Sequence, residues 1–144
     1  APTSHTFITG PSGSGKSTLL RVIAGLELPT SGTILKPSDT EMMFLPQRAY
    51  MIPRASLHSQ IHYPSNDRMR PDLITEALQM AEVDYLEDRA LQHQDGESDW
   101  TTALSGGERQ RIALARVFLR RPKYAFLDEA SCNLDFGMEV RIFR

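Results

Sequence analysis

A chain of 144 residues with 40% hydrophobic and 24% charged residues has the makeup of an ordinary globular fold, which excludes disordered and fibrous classes and leaves room for one core of common size. Its formal net charge of -2 supplies no basic field, so no nucleic-acid partner is expected. The single cysteine, Cys132, excludes an intrachain disulfide and zinc-ligand spacing, and no apolar run approaches the ~18 to 20 residues that cross a bilayer.

In chain order, Thr6–Thr9 is a short β-prone run that ends at Gly10, and Leu19, Leu20, Ile23 and Ala24 then recur at helical spacing up to Gly25. This reads as strand, glycine loop, helix. Pro29–Gly32 is a loop, and a short strand is predicted near Thr33–Leu35. Met42–Leu45 is a continuous apolar run stopped by Pro46, which predicts a buried strand whose end meets Gln47. From Ile52 to about Thr102 the pattern turns polar and mixed, with helices predicted near Leu57–Ile61, over Pro71–Ala81 and around Tyr85. Glu108–Arg120 carries Ile112, Ala115 and Leu119 on one helical stripe and is stopped by Pro122. Tyr124–Leu127 is the last predicted strand, with Asp128 and Glu129 at its carboxyl end. Strands followed by helices, with polar residues at strand ends, indicate an α/β fold on an open parallel sheet. Its ligand is expected beyond the carboxyl ends of the strands, where Gly10, Gln47 and Asp128 fall.

Three segments carry chemistry. Gly10, Pro11, Ser12, Gly13, Ser14, Gly15, Lys16 and Ser17, followed by Thr18, fit the pattern of a phosphate-binding loop between a strand and a helix. Backbone N–H groups would surround phosphate oxygens, Lys16 would reach the terminal phosphates, and Ser17 would ligate magnesium. Tyr124–Asp128 is an apolar strand that delivers a carboxylate to such a metal, usually through water, and Glu129 beside it suits a general base for the attacking water. The third segment, Leu104-Ser105-Gly106-Gly107-Glu108-Arg109-Gln110, contains a capping box, which would start a helix in any protein. Two glycines in a first helical turn weaken it, however, and fit better if bare N–H groups must lie against a second anion.

LSGGERQ resembles the signature motif of ABC ATPases, and GPSGSGKS, YAFLDE and LSGGERQ together make up the family's set of motifs. The resemblance covers nearly the whole chain. It implies a P-loop NTPase core with an inserted, mostly helical subdomain: residues 1–52 and 116–144 as core, about 53–115 as the helical signature subdomain. It implies ATP and Mg²⁺ as ligands, and Gln47, after Phe44-Leu45-Pro46, as a glutamine that touches magnesium and relays movement. It also implies Ser131–Asp135 as a dimer-contact loop in which Asp135 lies near the nucleotide. The partners it implies are a second ABC ATPase domain, head to tail, with each phosphate loop facing the other's Ser105, Gly106 and Gly107, and a transmembrane domain in the same full-length chain.

A narrower resemblance rests on Phe44–Met51, His62-Tyr63-Pro64, Asp99-Trp100 and Arg121–Ala125. These look like the D subfamily of ABC half-transporters, which move fatty acids or their coenzyme A esters into peroxisomes, and like bacterial relatives that take up cobalamin or peptides. A peroxisomal or bacterial inner membrane is the implied location, with the ATPase on its cytosolic side. The alternative is a soluble ABC factor of the ribosome-associated or DNA-repair class.

The family's adenine-stacking aromatic precedes the phosphate loop by more than Ala1 allows, and its switch histidine lies beyond Arg144; none of His5, His58, His62 or His93 can replace it. The 144 residues are therefore expected to be a core cropped at both ends, with weak nucleotide binding and poor hydrolysis on its own. Arg48, Tyr50, Met51 and Ile52 are expected as exposed groups that dock a membrane-domain helix. His58 and His62 at i, i+4 lack a third ligand for a metal, and Cys132 is read as part of an adapted dimer-contact loop.

Overall fold

A computed structural model describes residues 5–65, 70–92 and 99–129. The elements run α1 (Lys16–Ile23), a 3₁₀ turn (Asp39–Glu41), β1 (Met42–Leu45), α2 (Leu57–His62), α3 (Pro71–Met80), α4 (Tyr85–Gln92), α5 (Trp100–Ala103), α6 (Gly106–Arg120) and β2 (Tyr124–Leu127). Among the described residues, β1 and β2 form the sheet: they pair in parallel, with Met42 opposite Tyr124 and Leu45 opposite Leu127. Asp128 continues the ladder one step further, its N–H donating to the Leu45 carbonyl at 3.0 Å. A parallel pair needs a long crossover, and here that crossover is the helical segment α2–α6.

Local chemistry sets the helix ends. Gly25, at φ 76°, closes α1: its N–H donates to the Val22 carbonyl and the next N–H, of Leu26, to Arg21. This is the paired-bond stop that requires a left-handed residue. Ser105 caps α6, Arg121 ends it in the left-handed region with its N–H on the Val117 carbonyl, and Pro122 blocks continuation. Pro71 opens α3 in the first turn, where a missing N–H does no harm.

Two cores meet on α6. Ile112 and Ala115 join Leu57, Ile61, Ile74, Leu78, Val83, Leu86 and Trp100 in the larger, helical core. Ala113 and Leu114 turn the other way and pack with Leu45 of β1, against Ala49, Val117 and Leu127. A single amphipathic helix, apolar on two faces, thereby joins sheet and helical segment.

Two expectations are corrected. Residues 6–9 and 33–35 form no strand; Phe7 and Leu35 are 71% and 102% exposed, and β-prone composition with no partner strand among the described residues to complete its hydrogen bonds does not hold an extended ladder. The apolar run Met42–Leu45 does form a strand, but only Leu45 in it is fully buried.

Leu78 is fully buried in the helical core. Leu78→Ala should lower unfolding free energy by about 2 to 5 kcal/mol, read as a shift of the urea midpoint with the slope unchanged.

Candidate functional site

The glycine loop is built to present donors. Gly15 sits at the N-cap of α1 at φ 89°, a left-handed turn that swings the chain from loop into helix. Residues 10–15 and Thr18 are exposed, with Lys16 and Ser17 half-buried. α1 has neither a side-chain cap nor an acidic residue in its first turn. Its first N–H groups and the positive end of its dipole therefore have no anionic side chain of that turn to compensate them. The Lys16 ammonium lies back over the loop, donating to the carbonyls of Gly10 at 2.9 Å and Pro11 at 2.8 Å.

Strand pairing brings the other groups to the same place. Because Leu45 faces Leu127, Gln47 just beyond β1 meets Glu129 just beyond β2. Gln47 Nε2 donates to Glu129 Oε2 at 2.5 Å, and Ser17 Oγ of α1 donates to Asp128 Oδ1 at 2.7 Å. Asp128 is buried at 7% exposure, whereas Gln47 and Glu129 are open to solvent. Glu129 stands at φ 50°, a conformation that costs a non-glycine residue about 1 to 3 kcal/mol and is concentrated at functional sites. The hydroxyl of Ser17, the carboxylate of Asp128 and the amide oxygen of Gln47 are hard oxygen donors, the set magnesium takes. Among the described residues no three His, Cys, Asp or Glu side chains are grouped so that they could hold a metal ion. His58 instead lies 3.9 Å from Glu87 Oε1.

The Ser105 segment forms its capping box: the Ser105 N–H donates to Glu108 Oε2 at 2.7 Å and the Glu108 N–H to Ser105 Oγ at 3.2 Å. Two residues that no sequence motif marks brace it. Tyr85 donates its hydroxyl to Glu108 Oε1 at 3.0 Å, and Arg89 donates to the Ala103 carbonyl at 2.9 Å while its other Nη lies 3.8 Å from Glu108. Burial opposes charge on Glu108, but hydrogen bonds from Ser105 and Tyr85 and the Arg89 charge outweigh it, and the carboxyl titrates below its ordinary value. A Cβ added at Gly106 or Gly107 would meet nothing within 4 Å, and neither residue has a positive φ. Among the described residues nothing accounts for two glycines there. Capping is real, and it leaves the glycines unexplained.

One expectation fails. Of Arg48, Tyr50, Met51 and Ile52, Met51 is buried, at 7% exposure, because it packs into the helical core; Arg48 and Tyr50 are exposed and Ile52 is half-buried. Asp135 and the rest of 131–135, with Cys132, lie outside the described residues.

Residues 1–132 match the protein-family model described as ABC transporter. The chain is 46% identical to an uncharacterized ABC transporter ATP-binding protein of Synechocystis, over 99% of this chain and 22% of that one. It is 42% identical to ABC transporter D family member 2 of Dictyostelium discoideum, over 99% of this chain and 20% of that one. Against ABC transporter D family member 1 of Arabidopsis thaliana the figures are 39%, 96% and 11%. Among solved structures it is similar to a bacterial Atm1-family ABC exporter with ATP bound, at TM-score 0.75 and 28% identity, covering 92% of this chain and 25% of that one. The chain thus spans about a fifth of the length of the first two relatives.

Ser105→Ala should destabilise α6 by about 1 kcal/mol and Ser105→Gly by only a few tenths, measured by chemical denaturation. Since the folded Glu108 pKa lies below its unfolded value, its contribution is fully present at neutral pH and lost as pH falls through the folded pKa. Glu108→Gln should flatten the acid limb of the stability curve.

Proposed function

The chain belongs to the ABC transporter family, and on that premise we propose that it is the ATP-binding and ATP-hydrolysing part of a membrane transporter, most like the D-type half-transporters. In this reading residues 1–52 and 116–144 are the P-loop core, and about 53–115 the helical signature subdomain. The cargo that the resemblance implies is a fatty acid or its coenzyme A ester, and the ATPase works on the cytosolic side of a peroxisomal or bacterial inner membrane. The relatives described above are transporter proteins and an exporter, which does not favour the soluble alternative.

The observation that carries this reading is the convergence of Ser17 on Asp128 and of Gln47 on Glu129 at the end of the parallel sheet. Backbone N–H groups of residues 13–18 receive the ATP phosphates at the helix N-terminus. Lys16 leaves the carbonyls of Gly10 and Pro11 for the β- and γ-phosphates. Ser17, Gln47 and Asp128 are the residues that would hold Mg²⁺, which when bound would supply positive charge against the phosphates. Glu129, freed from Gln47, takes a proton from the water whose oxygen bonds to the γ-phosphorus as the bond to the β-phosphate oxygen breaks, giving ADP and phosphate. Gly106 and Gly107 offer bare N–H groups, and Ser105 its hydroxyl, to the γ-phosphate held by a second ABC ATPase domain, in a homo- or heterodimer, which is why open space beyond those glycines supports a head-to-tail arrangement. Asp135 belongs to the same contact. A transmembrane domain in the full-length chain receives the motion.

In the full-length protein, Glu129→Gln should keep ATP affinity within a few-fold, lower turnover about 10²-fold or more, and accumulate an ATP-dependent closed dimer visible by light scattering. Lys16→Ala should lose ATP binding. Full turnover in Glu129→Gln removes the general-base role.

A further inference from the structure

Burying a guanidinium is expensive unless its hydrogen bonds are met. Arg116, on the middle of α6, is 3% exposed, and among the described residues its partners are not carboxylates. Nε donates to the Gln60 carbonyl at 2.7 Å and Nη1 to the Tyr50 carbonyl at 2.8 Å; Nη2 lies 3.9 Å from Met51 Sδ. The Tyr63 ring is 5.4 Å away beneath the charge. Burial pushes the guanidinium pKa down to about 10, which still leaves a cation at neutral pH. Gln60, fully buried on α2, does for Ile52 what a neighbouring strand would do. Its Nε2 donates to the Ile52 carbonyl at 2.6 Å, and its Oε1 accepts the Ile52 N–H at 2.8 Å.

Residues 50–52 are thus pinned to α2 and α6 by two carbonyls and an N–H, and Arg116 ties α2 to α6 through the Gln60 carbonyl. They begin three residues after Gln47, at the point where the chain crosses between cores: Ala49 packs with the sheet-side cluster and Met51 with the helical one. α6 carries Ser105 at its N-terminus, about 16 Å along the axis from Arg116 at 1.5 Å per residue. Apolar residues of similar volume would fill the same space without a buried charge, so packing alone does not call for this pair. The arginine fork gives directional bonds to two backbone segments at once.

We propose that Gln60 and Arg116 are positioning residues for Gln47, fastening residues 50–52 to the helix that carries Ser105 so that the contact between Gln47 and Glu129 opens or closes with the position of α6. This rests on the ATPase reading above. A residue that acts only through Gln47 has no effect once Gln47 is gone, whereas one that merely stabilises the fold acts independently.

The test is a double-mutant cycle on ATP turnover in the full-length transporter, with Gln47→Ala, Gln60→Met and their double, and in parallel with Arg116→Lys. Gln60→Met and Arg116→Lys should each lower kcat about tenfold with KM for ATP within about twofold, and each double should match Gln47→Ala alone. Additive losses, or unchanged kcat in both single variants, overturn the proposal. So does failure of both variants to fold, which assigns the pair to folding. Lys16→Ala tests the parent reading separately. Equal turnover in that variant and the wild type removes the ATPase reading, while lost turnover there with additive cycles removes only the coupling.

Discussion

The pairing of β1 with β2 fixes where everything else lies. With Leu45 opposite Leu127, the turn after one strand and the turn after the other leave the sheet side by side, and Gln47, Asp128 and Glu129 share one edge. A register shift of one residue would turn each side chain to the opposite face and separate Gln47 from Glu129 and Ser17 from Asp128. Leu45 anchors this register because it alone in β1 is fully buried, held by Ala113 and Leu114 of α6.

α6 is the second fixed point. It is capped at Ser105, stopped at Arg121, apolar on two faces, and crossed by a buried cation. The same helix holds the sheet, the helical core and the segment leaving Gln47. A motion of α6 relative to the sheet is therefore resisted or transmitted at residues 49–52, where the chain passes from one core to the other. That geometry gives a physical meaning to the proposed site, in which the phosphate loop and the Ser105 segment are read as parts of different structural units.

Much of this is legible in the sequence because it is local. The helix at Pro71, the stops at Gly25 and Pro122, the capping box at Ser105 and the strands at Met42 and Tyr124 all follow from residues a few positions apart. The carboxylates after β2 and the glutamine after β1 can be placed because strand ends are marked by proline and by acidic residues. What the sequence misses is non-local. Nothing in the spacing of Tyr85, Arg89, Gln60 or Arg116 shows which backbone or side chain each will meet, since their partners are set by how helices pack. Residues 6–9 and 33–35 fail for a related reason: a strand is a property of a pair, and β-prone composition speaks for one member only. Met51 is misread because an apolar residue after a functional loop looks the same whether it points outward or into a core.

The central claim is that a γ-phosphate on one copy's glycine loop also touches the Ser105 segment of another. Orthovanadate trapped with ADP and Mg²⁺ in the full-length protein occupies the position of that phosphate, and near-ultraviolet irradiation then breaks the backbone beside it. The account predicts two families of cuts, one within residues 10–17 and one at Ser105–Gly107. Cuts confined to the glycine loop would contradict it.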